Sequence, residues 1–328
     1  MSSQPQRLGW LGLGSMGLAM AQNVQKHLAK NGLPALHYYN RTLARGEPLA
    51  EIGGVPCNGI KDLVDSCDVI FISLSDDKAL ETVIQLLIST CDINDKIFVD
   101  TTTVHPNTTS TVADEIRHAH ASYIAAPVFG STPVAQAGQL LMSIAGPDSA
   151  IETVLPFLEG VIARKVIRMH NQASSALLLK ATSNFITAGL HYLIAEAHVL
   201  AEKAGLPSDA LETLIHENFG QYAYSVSQRM TQGSYYPAQG ERPISALELG
   251  MKDVGIGLSI AKDCDKGMRL EVGELVMRHM NQAMKYGEEQ GRPLDSSSVF
   301  GAVRLNAGLG FETQEVEDRE SEAEDLAR

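Results

Sequence analysis

Three glycines, Gly12, Gly14 and Gly17, stand in the segment GWLGLGSMGLAMAQN (9–23) with the spacing G-x-G-x-x-G. Glycines also mark plain turns, so the spacing acquires meaning only from its surroundings. An apolar run, RLGWLGL (7–13), precedes it, and a helical pattern starts at Ser15 or Met16. In that setting Gly12 permits a tight turn, Gly14 lets a pyrophosphate approach the backbone, and Gly17 lets helix and strand pack closely. The first N–H groups of the helix then face the phosphates. Gly12, Leu13, Gly14, Ser15, Met16 and Gly17 are therefore expected to hold a redox dinucleotide. The second apolar run ends in Tyr39-Asn40-Arg41-Thr42. A carboxylate at this place usually binds the ribose 2′-hydroxyl of NAD. Asn40 removes that repelling charge, Arg41 offers a guanidinium for a 2′-phosphate, and Thr42 adds a hydroxyl. The reading favours NADP(H) over NAD(H); an ordinary exposed loop arginine is the plain alternative.

These loops need strands to position them. Apolar runs at 7–13, 35–40, 68–74, 96–101, 122–128, 140–146 and 165–169 are strand candidates, short and rich in Val, Ile, Phe and Tyr. Helical stretches separate them: Met16 to Lys30, Lys78 to Ser89, Pro106 to His118 and Ala150 to Leu158. Strand–helix alternation with near-continuous apolar strands predicts an α/β domain, a doubly wound, mainly parallel sheet of the Rossmann type. From Asn171 onward no strand is convincing. A long helix, Gln172 to Ala204, ends at Gly205 and Pro207, and helices follow at about 208–218, 244–263 and 270–290. The expected organisation is a dinucleotide-binding domain over 1–170, an all-helical domain over 171–311 for substrate and dimer contacts, and an acidic tail over 312–328.

Composition narrows the function classes. A net charge of −13 over 328 residues argues against a basic nucleic-acid-binding face. The tail, with eight acids and two arginines, is expected to be mobile or a frayed helix. No apolar run approaches the roughly 18 residues of a membrane span, and the polar MSSQPQR start shows no targeting pattern. Cys57, Cys67, Cys91 and Cys264 are widely spaced without a C-x-x-C pair, which suits reduced thiols in a cytoplasmic setting. No His/Asp/Glu cluster has metal-ligand spacing. His105 and His170 lie near strand ends as loop residues. Tyr222, Tyr224, Tyr235 and Tyr236 could line a substrate wall, but are expected to fill core.

With these residues in view, the chain resembles the β-hydroxyacid dehydrogenases, the 3-hydroxyisobutyrate dehydrogenase-like family, from about Leu8 to the 290s. GLGSMGLAMAQN looks like the family's G-x-G-x-M-G-x-x-M-A-x-N opening. DTTTVHP (100–106) sits where the family has D-x-S-T-x-x-P, which puts Thr103 on the cofactor-binding threonine. APVFGSTPVAQAGQL (126–140) is similar to the substrate segment, LLLKATSNF (177–185) to the segment with the catalytic lysine, and MKDVGIGLS (251–259) to the K-D segment. The resemblance implies Lys180 as general acid/base, Asn184 as its partner, Lys252 on the nicotinamide side, and Leu74 and Ser75 along the dinucleotide. It also implies a homodimer with packed helical domains. Phe129 departs from the family, which usually has a carboxylate-binding serine there. Gly130 is kept, and Ser131 replaces a second glycine. The Gly130–Ser131 backbone can still cradle a carboxylate, but the substrate is expected to be bulkier or less polar. Asn171, Ser174 and Ala176 stand where the family has a glycine-rich run.

Removing a proton from an alcohol while hydride leaves its carbon, or the reverse, needs a group such as a lysine amine tuned toward neutrality. Lys180 and Asn184 are one helical turn apart, and Thr187 and His191 continue their stripe as structural residues. The resemblance thus implies hydride transfer between NADP(H) and a 3-hydroxy acid or its semialdehyde. An imine reductase on the same scaffold remains an alternative, although such relatives generally lack the lysine. A non-enzymatic NADP-binding regulator is the other.

Overall fold

The computed structural model describes residues 5–169 and 172–327, with side chains up to Ser321, Glu322 and Ala323. His170 and Asn171, one of them the expected first residue of the helical domain, lie outside the described residues. The chain divides into two compact units, Met1–Lys180 and Ala181–Arg328.

The first unit begins with β1 (Leu8–Leu11), α1 (Ser15–Lys30), β2 (His37–Tyr39), the short α2 (Glu47–Ala50), β3 (Val55–Pro56) and α3 (Ile60–Ser66). It continues through β4 (Val69–Ile72), α4 (Asp77–Thr90), β5 (Ile97–Asp100), α5 (Pro106–His118) and β6 (Ser122–Ala125). These six strands form one parallel sheet in the order β3-β2-β1-β4-β5-β6. Every residue of β1 and β4 is buried, as expected of strands covered on both faces. Alternate residues enter opposite layers: Trp10 and Phe71 pack with Met20, Val24 and Leu28 of α1. Ile70 and Ile72 pack instead with Leu80 and Ile84 of α4 and Val112 and Ile116 of α5. Trp10 and Phe71 are paired in register and stack at 5.0 Å.

The sequence placed all strands in one sheet, and this is corrected. β7 (Val128–Phe129), β8 (Leu140–Ile144) and β9 (Ala163–Arg168) form a separate three-stranded sheet, with α6 (Thr132–Gln136) and α7 (Asp148–Val154) between them. β7 runs antiparallel to β8, and a bridge between Ala125 and Ala145 ties this sheet to the end of β6. β3 and β7, at two residues each, are too short to leave a periodic signal.

The last helix of this unit, α8 (Ser174–Ala204), runs on into the second unit. The division falls after Lys180, ten residues later than expected at 170. The cause is packing: Ala173, Ala176 and Leu177 are buried with Ile70, Ile72 and Ala145 of the sheet unit, and Ser143 Oγ donates to the Ala176 carbonyl at 3.1 Å.

The second unit holds α9 (Ser208–Thr231), α10 (Leu247–Cys264), α11 (Glu271–Glu289), α12 (Val299–Asn306) and α13 (Gln314–Ala327). α9 outruns the expected 208–218 because the chain breaks at Gly220 (φ 80°) and resumes helically. Its core contains Tyr235, Tyr236, Phe300 and Phe311, with Tyr286 stacked on Phe311 at 3.9 Å. Tyr235 and Tyr236 are therefore core, whereas Tyr222 is 55% exposed. Buried Asp295 pairs with Arg229 and accepts from the Ser245 and Ser297 N–H groups. The acidic segment is not loose over 314–323. Val316 is fully buried, Arg319 donates to the Tyr236 carbonyl at 2.7 Å, and Glu320 pairs with Arg292 at 2.6 Å. Like charges along α13 hid this docking from the sequence reading.

Two buried ionisable groups set opposite pH dependences. Burial pushes the Asp100 carboxyl up to about 6 from 3.8, against hydrogen bonds from Thr102 and Tyr123 that favour its charge. Its contribution to stability is complete below the ordinary carboxylate value and is lost as pH rises through about 6. Burial, then repulsion from Arg229, pulls the His191 imidazole down to about 3 from 6.5. Its contribution is complete above pH 6.5 and is lost as pH falls toward 3. The Asp100 window is worth up to about 3 kcal/mol and the His191 window up to about 5 kcal/mol. The single tryptophan, Trp10, lies in the Asp100 unit, so urea titrations followed by its fluorescence should show Asp100→Asn removing the alkaline loss. Followed by circular dichroism, His191→Gln should remove part of the acid loss. Variant curves parallel to wild type across both windows would refute these assignments.

Candidate functional site

The glycine turn is built by close approach of backbone to backbone. Gly12 has φ +93°, and a Cβ there would stand 2.2 Å from the Ser73 carbonyl oxygen at the end of β4. A Cβ on Gly17 would stand 2.3 Å from the Gly12 oxygen. Gly14 caps α1 in extended conformation and faces open space, with nothing within 4 Å of a built Cβ. Those three environments are what a tight turn, helix–strand packing and an approaching phosphate each require. Helix α1 starts at Ser15, so its first N–H groups lie at the same turn. The residues fit a dinucleotide: the one glycine with room above it is the one whose backbone a pyrophosphate must reach.

The neighbouring loops are bonded to this turn. Asn40 Oδ1 accepts from the Leu13 N–H at 2.8 Å, and its Nδ2 donates to the Thr42 carbonyl at 2.7 Å. The sequence reading used Asn40 only as a missing carboxylate; its amide also holds the glycine loop and the β2 loop together. Arg41 and Thr42 are exposed in the bend beyond β2. Leu74 follows Ser73, and its N–H donates to Thr102 Oγ1 at 3.1 Å. Thr103 comes next in that loop, ahead of α5. Ser75 Oγ donates to Asp76 at 2.6 Å, and Asp76 caps α4 through the Ala79 N–H. Asp77 Oδ1 accepts from the His105 N–H and Thr108 Oγ1, tying the starts of α4 and α5. His105 is accordingly a loop and cap residue.

Beneath the threonine loop sits Asp100, 2% exposed. It accepts from the Thr102 N–H at 2.9 Å and from the Tyr123 hydroxyl at 2.5 Å. Sequence reasoning missed this support. Its signal was present, since an acid ending an apolar strand needs a buried partner.

Phe129, Gly130 and Ser131 follow the second sheet's edge. Phe129 pairs with Leu141 through the β7–β8 register. Gly130 has φ +133°, where a Cβ would meet Leu140 at 2.8 Å. Ser131 caps α6, and the next residue, Thr132, reaches Met16 Sδ with its hydroxyl at 3.7 Å. Asn23 of α1 donates to the Ala135 carbonyl at 2.7 Å. The substrate-type segment is thus fastened to the helix that leaves the glycine turn.

Lys180 stands half-buried on the second turn of α8. Its Nζ lies over the Phe129 ring, 5.2 Å from the centroid. Within the sheet unit, then, the structure brings together the turn at 12–17, Asn40, Leu74 and the 102–103 loop, and separately joins Phe129 to Lys180. Asn184 and Lys252 belong to the second unit, on α8 and α10. Of the expected stripe, Thr187 bonds with Tyr222 at 3.2 Å, and His191 is buried in the helical unit. Among the described residues no group of acids, histidines and cysteines could hold a metal ion.

Residues 7–170 match the family model described as the NAD binding domain of 6-phosphogluconate dehydrogenase. Over 301 residues the chain is 27% identical to the NADH-dependent oxidoreductase ucdB of Aspergillus ustus, covering 91% of this chain and 99% of that protein. It is 28% identical to glyoxylate/succinic semialdehyde reductase 1 of Arabidopsis thaliana, again over 91% and 99% of the two chains. Among solved structures, the 3-hydroxyisobutyrate dehydrogenase of Mycobacterium tuberculosis shares the fold. Its TM-score is 0.75 at 21% identity, covering 92% of this chain and all of that one. With the glycine turn inside a matched segment that spans half of the chain, the chain belongs to the β-hydroxyacid dehydrogenase family.

Proposed function

We propose that this protein transfers hydride between NADP(H) and a 3-hydroxy acid or the corresponding semialdehyde, with Lys180 as general acid/base. The observation that carries this reading is the placement of Lys180. Its ammonium sits on a helix start anchored by Ser143 and Ala176 to the unit that holds the glycine turn. The bound dinucleotide would supply or accept the hydride. In the reductive direction, the Lys180 ammonium gives its proton to the carbonyl oxygen as that oxygen gains charge. In the oxidative direction, the neutral amine takes the hydroxyl proton. Asn184, one turn further along α8, orients the substrate oxygen, and Lys252 serves the nicotinamide side. The backbone of Gly130 and Ser131 receives the acid group. The turn at 12–17, with Asn40, Leu74, Ser75 and Thr103, carries the dinucleotide. A relative named for 2-(hydroxymethyl)glutarate, whose hydroxyl is β to a carboxylate, supports the 3-hydroxy acid, and one named in part for succinic semialdehyde supports an aldehyde with a remote acid.

The preference for NADP(H) rests on Asn40 and exposed Arg41. A relative named as NADH-dependent points the other way, so the two cofactors must be compared directly. The four cysteines are unpaired thiols, two of them buried, which suits a reducing, cytoplasmic setting. No helix among the described residues is long and apolar enough to cross a membrane.

A second copy of this chain is the proposed partner. On α8, Ile186, Leu193 and Leu200 recur every seven residues and are 64%, 63% and 70% exposed. Phe219, 64% exposed, and Leu214 stand out on α9, which the Thr187–Tyr222 contact joins to α8. Large apolar side chains standing exposed along two joined helices are the mark of an interaction surface.

Three outcomes follow. Lys180→Ala should lower kcat/KM for semialdehyde reduction by about 100-fold or more while the Kd for NADPH stays within about twofold; unchanged turnover would refute the lysine's role. Arg41→Ala should raise the Kd for NADPH by about tenfold and leave NADH binding unchanged; equal effects on both would refute the cofactor preference. Leu193→Glu should halve the mass in sedimentation equilibrium, and a variant of unaltered mass would place any dimer contact elsewhere.

A further inference from the structure

The family resemblance marks Phe129 only as a departure; the structure gives its ring a task. The ring lies beneath the Lys180 ammonium, in the range where the negative face of an aromatic ring attracts a cation. The backbone that carries the ring, and the helix that carries the ammonium, are both held in place. The β7–β8 register sets Phe129 opposite Leu141. Gly130, at φ +133° with Leu140 and Val134 filling the space around it, holds the turn that follows. On the other side, Ser143 and Ala176 fasten the first turns of α8 to the same sheet. Ring and ammonium are thus carried by adjacent strands and the helix packed on them.

We infer that Phe129 is a positioning and specificity-determining residue. Its ring aims the Lys180 ammonium and selects substrates whose reacting carbon bears an uncharged, apolar group on the Phe129 side. A carboxylate attached directly to the reacting carbon needs N–H or O–H donors on that side. The phenyl ring has none, and its face repels an anion as it attracts the ammonium. An alkyl or aryl substituent instead gains contact with the ring and does not compete with the carbonyl oxygen for the ammonium. An acid group further down the substrate, reaching the Gly130–Ser131 backbone, is compatible with this selection.

The inference rests on the proposed hydride transfer, so its test carries a control for that reading. NADPH-dependent reduction of glyoxylate, butanal and succinic semialdehyde is measured for wild type, Phe129→Ser and Phe129→Tyr. Glyoxylate bears the acid on the reacting carbon, butanal bears an alkyl group, and succinic semialdehyde keeps its acid remote. Wild type should prefer butanal to glyoxylate in kcat/KM by about tenfold or more. Phe129→Ser should swing that ratio by at least about tenfold toward glyoxylate, chiefly through KM, and lower kcat for every substrate as the ammonium loses its aim. Phe129→Tyr, which keeps the ring face, should retain the wild-type ratio. A wild type that prefers glyoxylate, or a serine variant with an unchanged ratio, overturns the inference. If succinic semialdehyde still turns over in a Lys180-dependent way in that case, the hydride-transfer reading stands. Failure of the wild type to reduce any of the three while it binds NADPH overturns both.

Discussion

Backbone contact at the carboxyl edge of β1 and β4 is the constraint on which the rest depends. Gly12 meets the Ser73 carbonyl, and Gly17 meets the Gly12 carbonyl, at distances that no side chain could share. That approach fixes where α1 starts, and α1 fixes where the substrate-type segment lies through Asn23 and Met16. The same edge receives Leu74 and the 102–103 loop. A larger residue at either glycine would push the helix off the sheet and carry every attached loop with it.

The edge is polar but sits above a dense apolar interior, so its polar groups must be paired internally. Asn40 satisfies the Leu13 N–H, and Asp100 satisfies the Thr102 N–H. Asp100 does so at the cost of burying a carboxyl. The raised affinity for its proton is the physical trace of that cost. The threonine loop is thus held by a group that favours folding least when ionised, a tension that an apolar residue could relieve only by orphaning the loop's backbone.

Much of this was legible in the sequence because it depends on local rules. Glycine spacing, a preceding apolar strand and a following helix are read directly from residues 7 to 30, and the long helix from its pattern before Gly205 and Pro207. What escaped depends on contacts between distant residues. The second sheet is set by a two-residue strand at Val128–Phe129. The late division at Lys180 comes from small residues, Ala173 and Ala176, seated on strands about a hundred residues earlier. The acidic helix α13 docks through one buried valine and two arginine contacts, while its composition reads as a solvated tail. The ring beneath Lys180 needed the β7–β8 register, which no periodicity announces.

The only tryptophan stands at the centre of the account. The Trp10 indole N–H donates to the Gly12 carbonyl at 3.1 Å, inside the turn assigned to the dinucleotide. Titrating the protein with NADPH while exciting that indole is therefore the most direct measurement. The account predicts saturable quenching of tryptophan emission together with sensitised emission from the reduced nicotinamide. Tryptophan emission that stays constant up to millimolar NADPH would contradict it.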